Sequence, residues 1–130
     1  MSENGAEGRR ALLVEDEALV AMVAEESLRG LGFDPIIAAT AREALDALDL
    51  GEPLSFAMVD VGLPDMRGDA LARRLRDIAP GLPIILASGY DRAELQRGFS
   101  DDSRLFVLAK PYSERQLREA LAELHLTVVG

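Results

Sequence analysis

The sequence predicts an α/β fold, a (βα)5 sandwich in which five short parallel strands alternate with five helices. Three observations carry that prediction. Five apolar runs of four or five residues recur along the chain, and none shows the apolar/polar alternation of a half-exposed strand. Strands apolar on both faces belong to parallel sheets covered by helices. Between the runs lie longer segments of helical period, several of them opened by helix-capping signals.

The elements follow in order. ALLV (11–14) is the first run, and from Ala18 to Leu31 the residues Leu19, Met22, Val23, Ala24 and Leu28 keep helical spacing until Gly30 or Gly32 ends the helix. PIIAA (35–39) is the second, followed by Thr40 and Glu43, an N-cap oxygen answered three residues later. FAMV (56–59) is the third and ends on Asp60; beyond it Leu71, Leu75 and Ile78 form a stripe closed by Pro80 and Gly81. PIILA (83–87) precedes a second capping pair, Asp91 with Glu94. LFVLA (105–109) precedes a third, Ser113 with Gln116, which opens a last helix from Glu114 to Leu126 burying Leu117, Leu121 and Leu124. Residues 1–9, polar and rich in Gly and Glu, read as a disordered tail, and residues 10–126 as one domain with no output domain after it.

Composition narrows the function. The chain has 130 residues, 48% of them apolar, enough for one domain with a real core. It has no cysteine, which excludes a disulfide framework and a thiolate zinc site. No apolar run reaches the length of a membrane span, and residues 1–10 lack the apolar stretch of a signal peptide, so a cytoplasmic protein is expected. The net charge is −9. Arg73, Arg74 and Arg76 sit together but are flanked by Asp69 and Asp77, so direct nucleic-acid binding is not expected.

In open parallel sheets, ligands bind outside the carboxyl ends of the strands. Glu15, Asp16 and Glu17 follow the first run, Asp60 the third, Ser88 the fourth, and Lys110 with Pro111 the fifth. Clustered carboxylates repel one another unless a cation relieves them, and Mg2+ prefers such oxygen ligands while keeping positions for water and phosphate. Lys110 is a mobile point charge suited to a phosphate and Ser88 a hydroxyl donor to the same group. The set reads as equipment for holding a phosphoryl group on a carboxylate nucleophile.

The motifs LLVEDE, VDVGLPDMRG, ILASGY and LAKPY resemble, in order and spacing, those of the receiver domain of two-component response regulators; Asp16 to Asp60 is 44 residues, Asp60 to Ser88 is 28, and Ser88 to Lys110 is 22. The resemblance implies a doubly wound, flavodoxin-like parallel sheet of strand order 2-1-3-4-5. It implies that Asp60 accepts a phosphoryl group from a phosphohistidine of a sensor histidine kinase or histidine phosphotransfer protein. Asp16 would bind Mg2+ directly, Glu15 largely through water, and the backbone carbonyl of Gly62 would be a further ligand beside Asp60. Ser88 and Lys110 would hold the phosphoryl oxygens, with the Lys110–Pro111 bond often cis. Receivers of the common type carry Tyr or Phe three residues before the lysine; here that position is Val107, and the neighbouring Phe106 points to the opposite face. PIILASGY, with Tyr90 beside the phosphoryl site, is similar to the PFxFATGY signature of the "FAT GUY" receivers, which also lack that aromatic.

The expected function is a stand-alone response regulator, a phosphorylation-dependent binding module that is a monomer or a weak phosphorylation-dependent dimer. Its partner face is expected after Ser88, around Asp91, Glu94, Leu95, Phe99 and Val107. Two readings compete. A phosphatase or phosphotransferase of the haloacid-dehalogenase type would need a second Asp two residues after the nucleophile, where this chain has Gly62. A pseudo-receiver docking module follows loss of a key residue, and none is lost. Asp65, Arg67 and Asp69 read as a solvated loop and helix start, and Gly68 as supplying a backbone conformation that other residues resist.

Overall fold

In the computed structural model, which describes residues 9–89 and 91–128, the alternation resolves into ten elements. They are β1 (Arg10–Val14), α1 (Ala18–Gly30), β2 (Asp34–Ala38), α2 (Ala41–Asp49), β3 (Phe56–Asp60), α3 (Gly68–Ile78), β4 (Ile84–Ser88), α4 (Arg92–Gly98), β5 (Leu105–Ala109) and α5 (Glu114–Glu123). The strands are parallel and lie in the order β2-β1-β3-β4-β5. Every residue of β3 and β4 is buried and all but Arg10 of the third inner strand, β1, whereas the edge strands β2 and β5 are partly exposed. That gradient is why the apolar runs lack alternation.

Two apolar layers sandwich the sheet. Leu12, Val14, Ala57, Val59, Ile84, Leu86 and Val107 face α2, α3 and α4 through Ala41, Ala44, Leu71, Leu75 and Leu95. Leu13, Phe56, Met58, Ile85 and Leu108 face α1 and α5 through Ala24, Leu28, Leu117 and Leu121. Phe33 and Phe56 meet edge to face in the second layer, their centroids 4.9 Å apart. Full burial of one such Leu or Phe contributes about 1.5–3 kcal/mol against leaving it in water.

Two of the three capping signals form. Thr40 accepts from the Glu43 amide at 3.0 Å, while the Glu43 carboxylate reaches past Thr40 to the Ala39 amide at 2.8 Å. Ser113 and Gln116 make a complete reciprocal box. The third fails: Asp91 stands in the left-handed region, φ 61°, and its side chain caps nothing, although α4 does start at the next residue. The expected end of α5 is also corrected. The helix stops at Glu123 because His125 turns left-handed at φ 62° and lets the Leu126 amide bond back to Leu121 O at 2.9 Å.

The apolar residues of helical spacing divide between the sheet and solvent. On α1 the residues facing the sheet are Ala21, Ala24 and Leu28, while Leu19, Met22 and Val23 are 77%, 60% and 68% exposed. Ile78 of α3 is exposed as well. Both stripes of α1 have helical period, and the one with the smaller residues sits against the sheet. Arg9, assigned to the tail, is anchored: its guanidinium lies 4.4 Å from the Phe33 ring centroid and donates to Gly32 O and Thr127 O. Residues 1–8 of the expected tail lie outside the described residues.

Candidate functional site

The carboxyl edge of the sheet places the chemistry. Parallel register pairs Asp60 with Ala87 and Ser88 with Ala109, so Asp60, Ser88 and Lys110 emerge at nearly one level from β3, β4 and β5. The Lys110 amide donates to Ser88 O at 2.8 Å, and the Val61 amide to Ala87 O at 3.0 Å, which lock these strand ends together. Glu15, just past β1, donates its amide to Ala38 O at 2.9 Å. The Lys110–Pro111 peptide is cis.

Asp60 is 8% exposed and both its oxygens are engaged. Oδ1 accepts from Lys110 Nζ at 2.6 Å and Oδ2 from the Gly62 amide at 3.0 Å. Lys110 Nζ also lies 3.5 Å from Glu15 Oε1, while Glu15 Oε2 accepts from the Glu17 amide at 3.2 Å. One oxygen from each of Glu15, Asp16 and Asp60 falls within 4.8 Å of the others. Ser88 is buried and lines the same cavity of about 480 Å3, together with Asp16, Asp60, Gly62, Arg67 and Lys110. The residues expected at the phosphoryl and metal site, Glu15, Asp16, Asp60, Gly62, Ser88 and Lys110, therefore converge, while Tyr90 lies outside the described residues.

The electrostatics follow from that crowding. Burial, aided by the Asp60 charge, raises Glu15 above the ordinary carboxylate range, against the pull of the Glu17 amide and Lys110. Burial works to lower Lys110, but its hydrogen bond to Asp60 and the charges of Asp60 and Glu15 outweigh it and hold the amine above its usual value. Burial likewise raises the Tyr112 phenol. Lys110 is thus fully cationic at neutral pH and sits as counter-ion between two acids. The three carboxylates with one lysine still leave an excess of negative charge and an oxygen-only donor set, which fits Mg2+.

Phe106 and Val107 divide as their one-residue offset requires: Val107 is buried in the layer under α4, and Phe106 packs in the opposite layer with Tyr112. Of the residues expected at a partner face around α4, Asp91 and Glu94 are exposed, Leu95 and Val107 are buried, and the Arg73 guanidinium lies 4.3 Å from the Phe99 ring centroid.

Three supporting residues were misread or missed. Asp65 is not a free loop acid: its carboxylate accepts from the Ala41 and Arg42 amides at 2.9 and 3.0 Å, capping α2 from the loop after β3, and those bonds hold it below the ordinary aspartate range. Gly68 is required by space, not by an unusual φ, because a Cβ there would come within 2.1 Å of Asp60 O. Arg76 grips Asp102 with two nitrogens at 2.9 and 3.1 Å and donates to Pro80 O and Arg104 O, joining the end of α3 to the turn before β5.

Comparison with known proteins agrees with this geometry. The profile of the response regulator receiver domain matches residues 11–122. The chain belongs to the response regulator receiver family. It is similar to the sensor kinase CckA of Brucella abortus (strain 2308), 35% identical over 87% of this chain but only 12% of the kinase's length. It is similar to the response regulator receiver protein CpdR of the same organism, 29% identical over 84% of this chain and 90% of CpdR. A CheY-like receiver domain protein from Methanospirillum hungatei JF-1 superposes with a TM-score of 0.76 at 29% identity, covering 88% of this chain and 91% of that one. The receiver thus places the chain in two-component signalling and is consistent with phosphoryl acceptance on an aspartate. No helix among the described residues is long and apolar enough to cross a membrane.

Proposed function

We propose that the receiver takes a phosphoryl group onto Asp60 from a phosphohistidine of a sensor kinase or phosphotransfer protein and changes its binding to a downstream protein as a result. The observation that carries this reading is the convergence of Asp60, Lys110, Ser88 and the acids Glu15 and Asp16 on one cavity. An oxygen of Asp60 attacks phosphorus as the P–N bond breaks and its electron pair returns to the imidazole of the donor. Lys110 Nζ, already at hydrogen-bond distance from Asp60, and the Ser88 hydroxyl hold the phosphoryl oxygens. Glu15, Asp16 and Asp60, with the Gly62 carbonyl, would hold Mg2+, which when bound neutralises charge developing on the transferring group. With Gly62 where a second acid would be needed, the site holds a phosphoryl group and lacks the acid/base for turnover on external phosphomonoesters. Steady hydrolysis of several such esters would contradict that.

Asp60→Asn is expected to abolish Mg2+-dependent labelling by acetyl phosphate; labelling that survives removes Asp60 as the acceptor. The donor's docking face on this reading is α1. Leu19 and Val23 border an apolar recess of about 360 Å3 whose other walls include Pro111 and Tyr112, and Lys110 reaches both this recess and the phosphoryl cavity. A phosphohistidine protein that covers Leu19 and Val23 brings its imidazole to the same sheet edge. Val23→Glu is therefore expected to slow transfer from the protein donor while labelling by acetyl phosphate persists; equal loss of both would place the donor elsewhere.

A further inference from the structure

Arg67 is a cationic residue of the cavity wall that the chemistry above leaves unused. It and Lys110 are the two cationic side chains lining that cavity among the described residues. Its backbone is fixed close to the acceptor, because the next residue, Gly68, donates its amide to Val61 O at 2.8 Å and lies against Asp60 O so tightly that no Cβ fits. The side chain is 62% exposed and is held by one contact, Nε to Asp69 Oδ1 at 3.0 Å. Its two terminal nitrogens make no hydrogen bond among the described residues. The guanidinium thus rests on a carboxylate beside the cavity with both terminal nitrogens available to an anion.

We propose that Arg67 is a second phosphoryl-positioning residue, which leaves Asp69 for the phosphoryl group as that group arrives at Asp60. The proposal rests on the acceptor reading of Asp60. A phosphoryl group brings about −1.5 to −2 charges and three strong acceptor oxygens, against the single charge of Asp69. Arg matches such an anion with paired donors, which Lys cannot do. In a protein of net charge −9, with Glu15, Asp16 and Glu17 beside the cavity, a cation at the rim also offsets the repulsion met by any anionic phosphoryl donor. Asp69 then acts as a competitor: it keeps Arg67 at the rim in the resting state and weakens the clamp by the strength of its own ion pair.

The test uses acetyl phosphate with Mg2+ on the whole chain, comparing Arg67→Gln, Arg67→Lys and Asp69→Asn with the parent protein. Arg67→Gln is expected to lower the second-order rate constant of labelling by about two- to fivefold, the range for a largely exposed ion pair. Arg67→Lys recovers part of the loss, and Asp69→Asn raises the rate constant because it frees the guanidinium. If the pair were only a brace for the start of α3, both deletions would act in the same direction, and that result overturns the proposal. A second reading is independent of turnover: the Arg67 Nε resonance should move when beryllofluoride with Mg2+ mimics the phosphoryl group, and a resonance that stays put overturns it too. Failure of the parent protein to label at all instead refutes the acceptor reading, and this proposal with it.

Discussion

Replacing Gly68 by Ala tests the tightest contact behind Asp60. The added Cβ would lie 2.1 Å from Asp60 O and 2.7 Å from both Asp60 C and Val61 Cα, all of them backbone atoms in or beside a buried central strand. No rotamer change relieves such a contact, so the α3 terminus or the end of β3 must shift, and overpacking of this kind costs about 3 kcal/mol. Against it stands the gain of Ala over Gly in a helix, at most about 1 kcal/mol. The net loss is about 2 kcal/mol, or about 8 °C in Tm at about 4 °C per kcal/mol for a chain of this size. Urea and thermal unfolding of Gly68→Ala would measure it, with Gly30→Ala as the control, since a Cβ at Gly30 meets nothing within 4 Å. If Asp60 takes the phosphoryl group as proposed, its labelling should fall alongside stability, because the displaced atoms belong to Asp60 and its neighbour Val61. A Gly68→Ala protein as stable as its parent would refute the reasoning and return Gly68 to an ordinary helix-start glycine.

Two further predictions concern charge. Because Glu15 is raised in the folded protein, its contribution to stability is fully present below the ordinary glutamate value and is lost as pH rises through the raised one. Glu15→Gln should therefore stabilise the metal-free protein at neutral pH, with the advantage vanishing on acidification, while Mg2+ should raise the Tm of the parent more than that of the variant; thermal melts across pH with and without Mg2+ check both signs. Arg76→Ala should cost about 2 kcal/mol, since it strands Asp102 and the part-buried carbonyls of Leu82 and Arg104. A double-mutant cycle with Asp102→Ala should then show coupling, and additive losses would mean that Arg76 acts through its carbonyl bonds alone.

What could be read from the chain was what is local. Strand cores, the caps at Thr40 and Ser113, and the polar residues at the strand ends are set by short-range rules of burial and capping, and the strand-end rule then gathered Glu15, Asp16, Asp60, Ser88 and Lys110 at one edge. What could not be read depends on neighbours distant in sequence. The capping of α2 by Asp65 spans 24 residues and the Arg76–Asp102 pair 26. A hydrogen bond of that reach leaves no periodic trace. The inward stripe of α1 was ambiguous for another reason: larger and smaller apolar residues both repeat at helical spacing, and the close approach of the sheet favours Ala21 and Ala24 over Leu19 and Val23. At Gly68 the residue type was legible but its cause was not, because crowding by Asp60 O is a tertiary fact.

The carboxylate of Asp65 has a consequence for a part of the molecule that supplies no chemistry. The strand β2 and the helix α2 lie at the edge of the sheet, yet the first two amides of α2 are bonded to the loop that runs from Asp60 to Arg67. A contact shared by two segments stabilises both or neither, so the coupling is reciprocal. Whatever firms the edge helix through these bonds also firms the rim of the Asp60 cavity, and whatever rearranges that rim is felt at the edge. The outermost βα unit is in this sense a handle on the loop after Asp60, reached from the sheet edge away from β5.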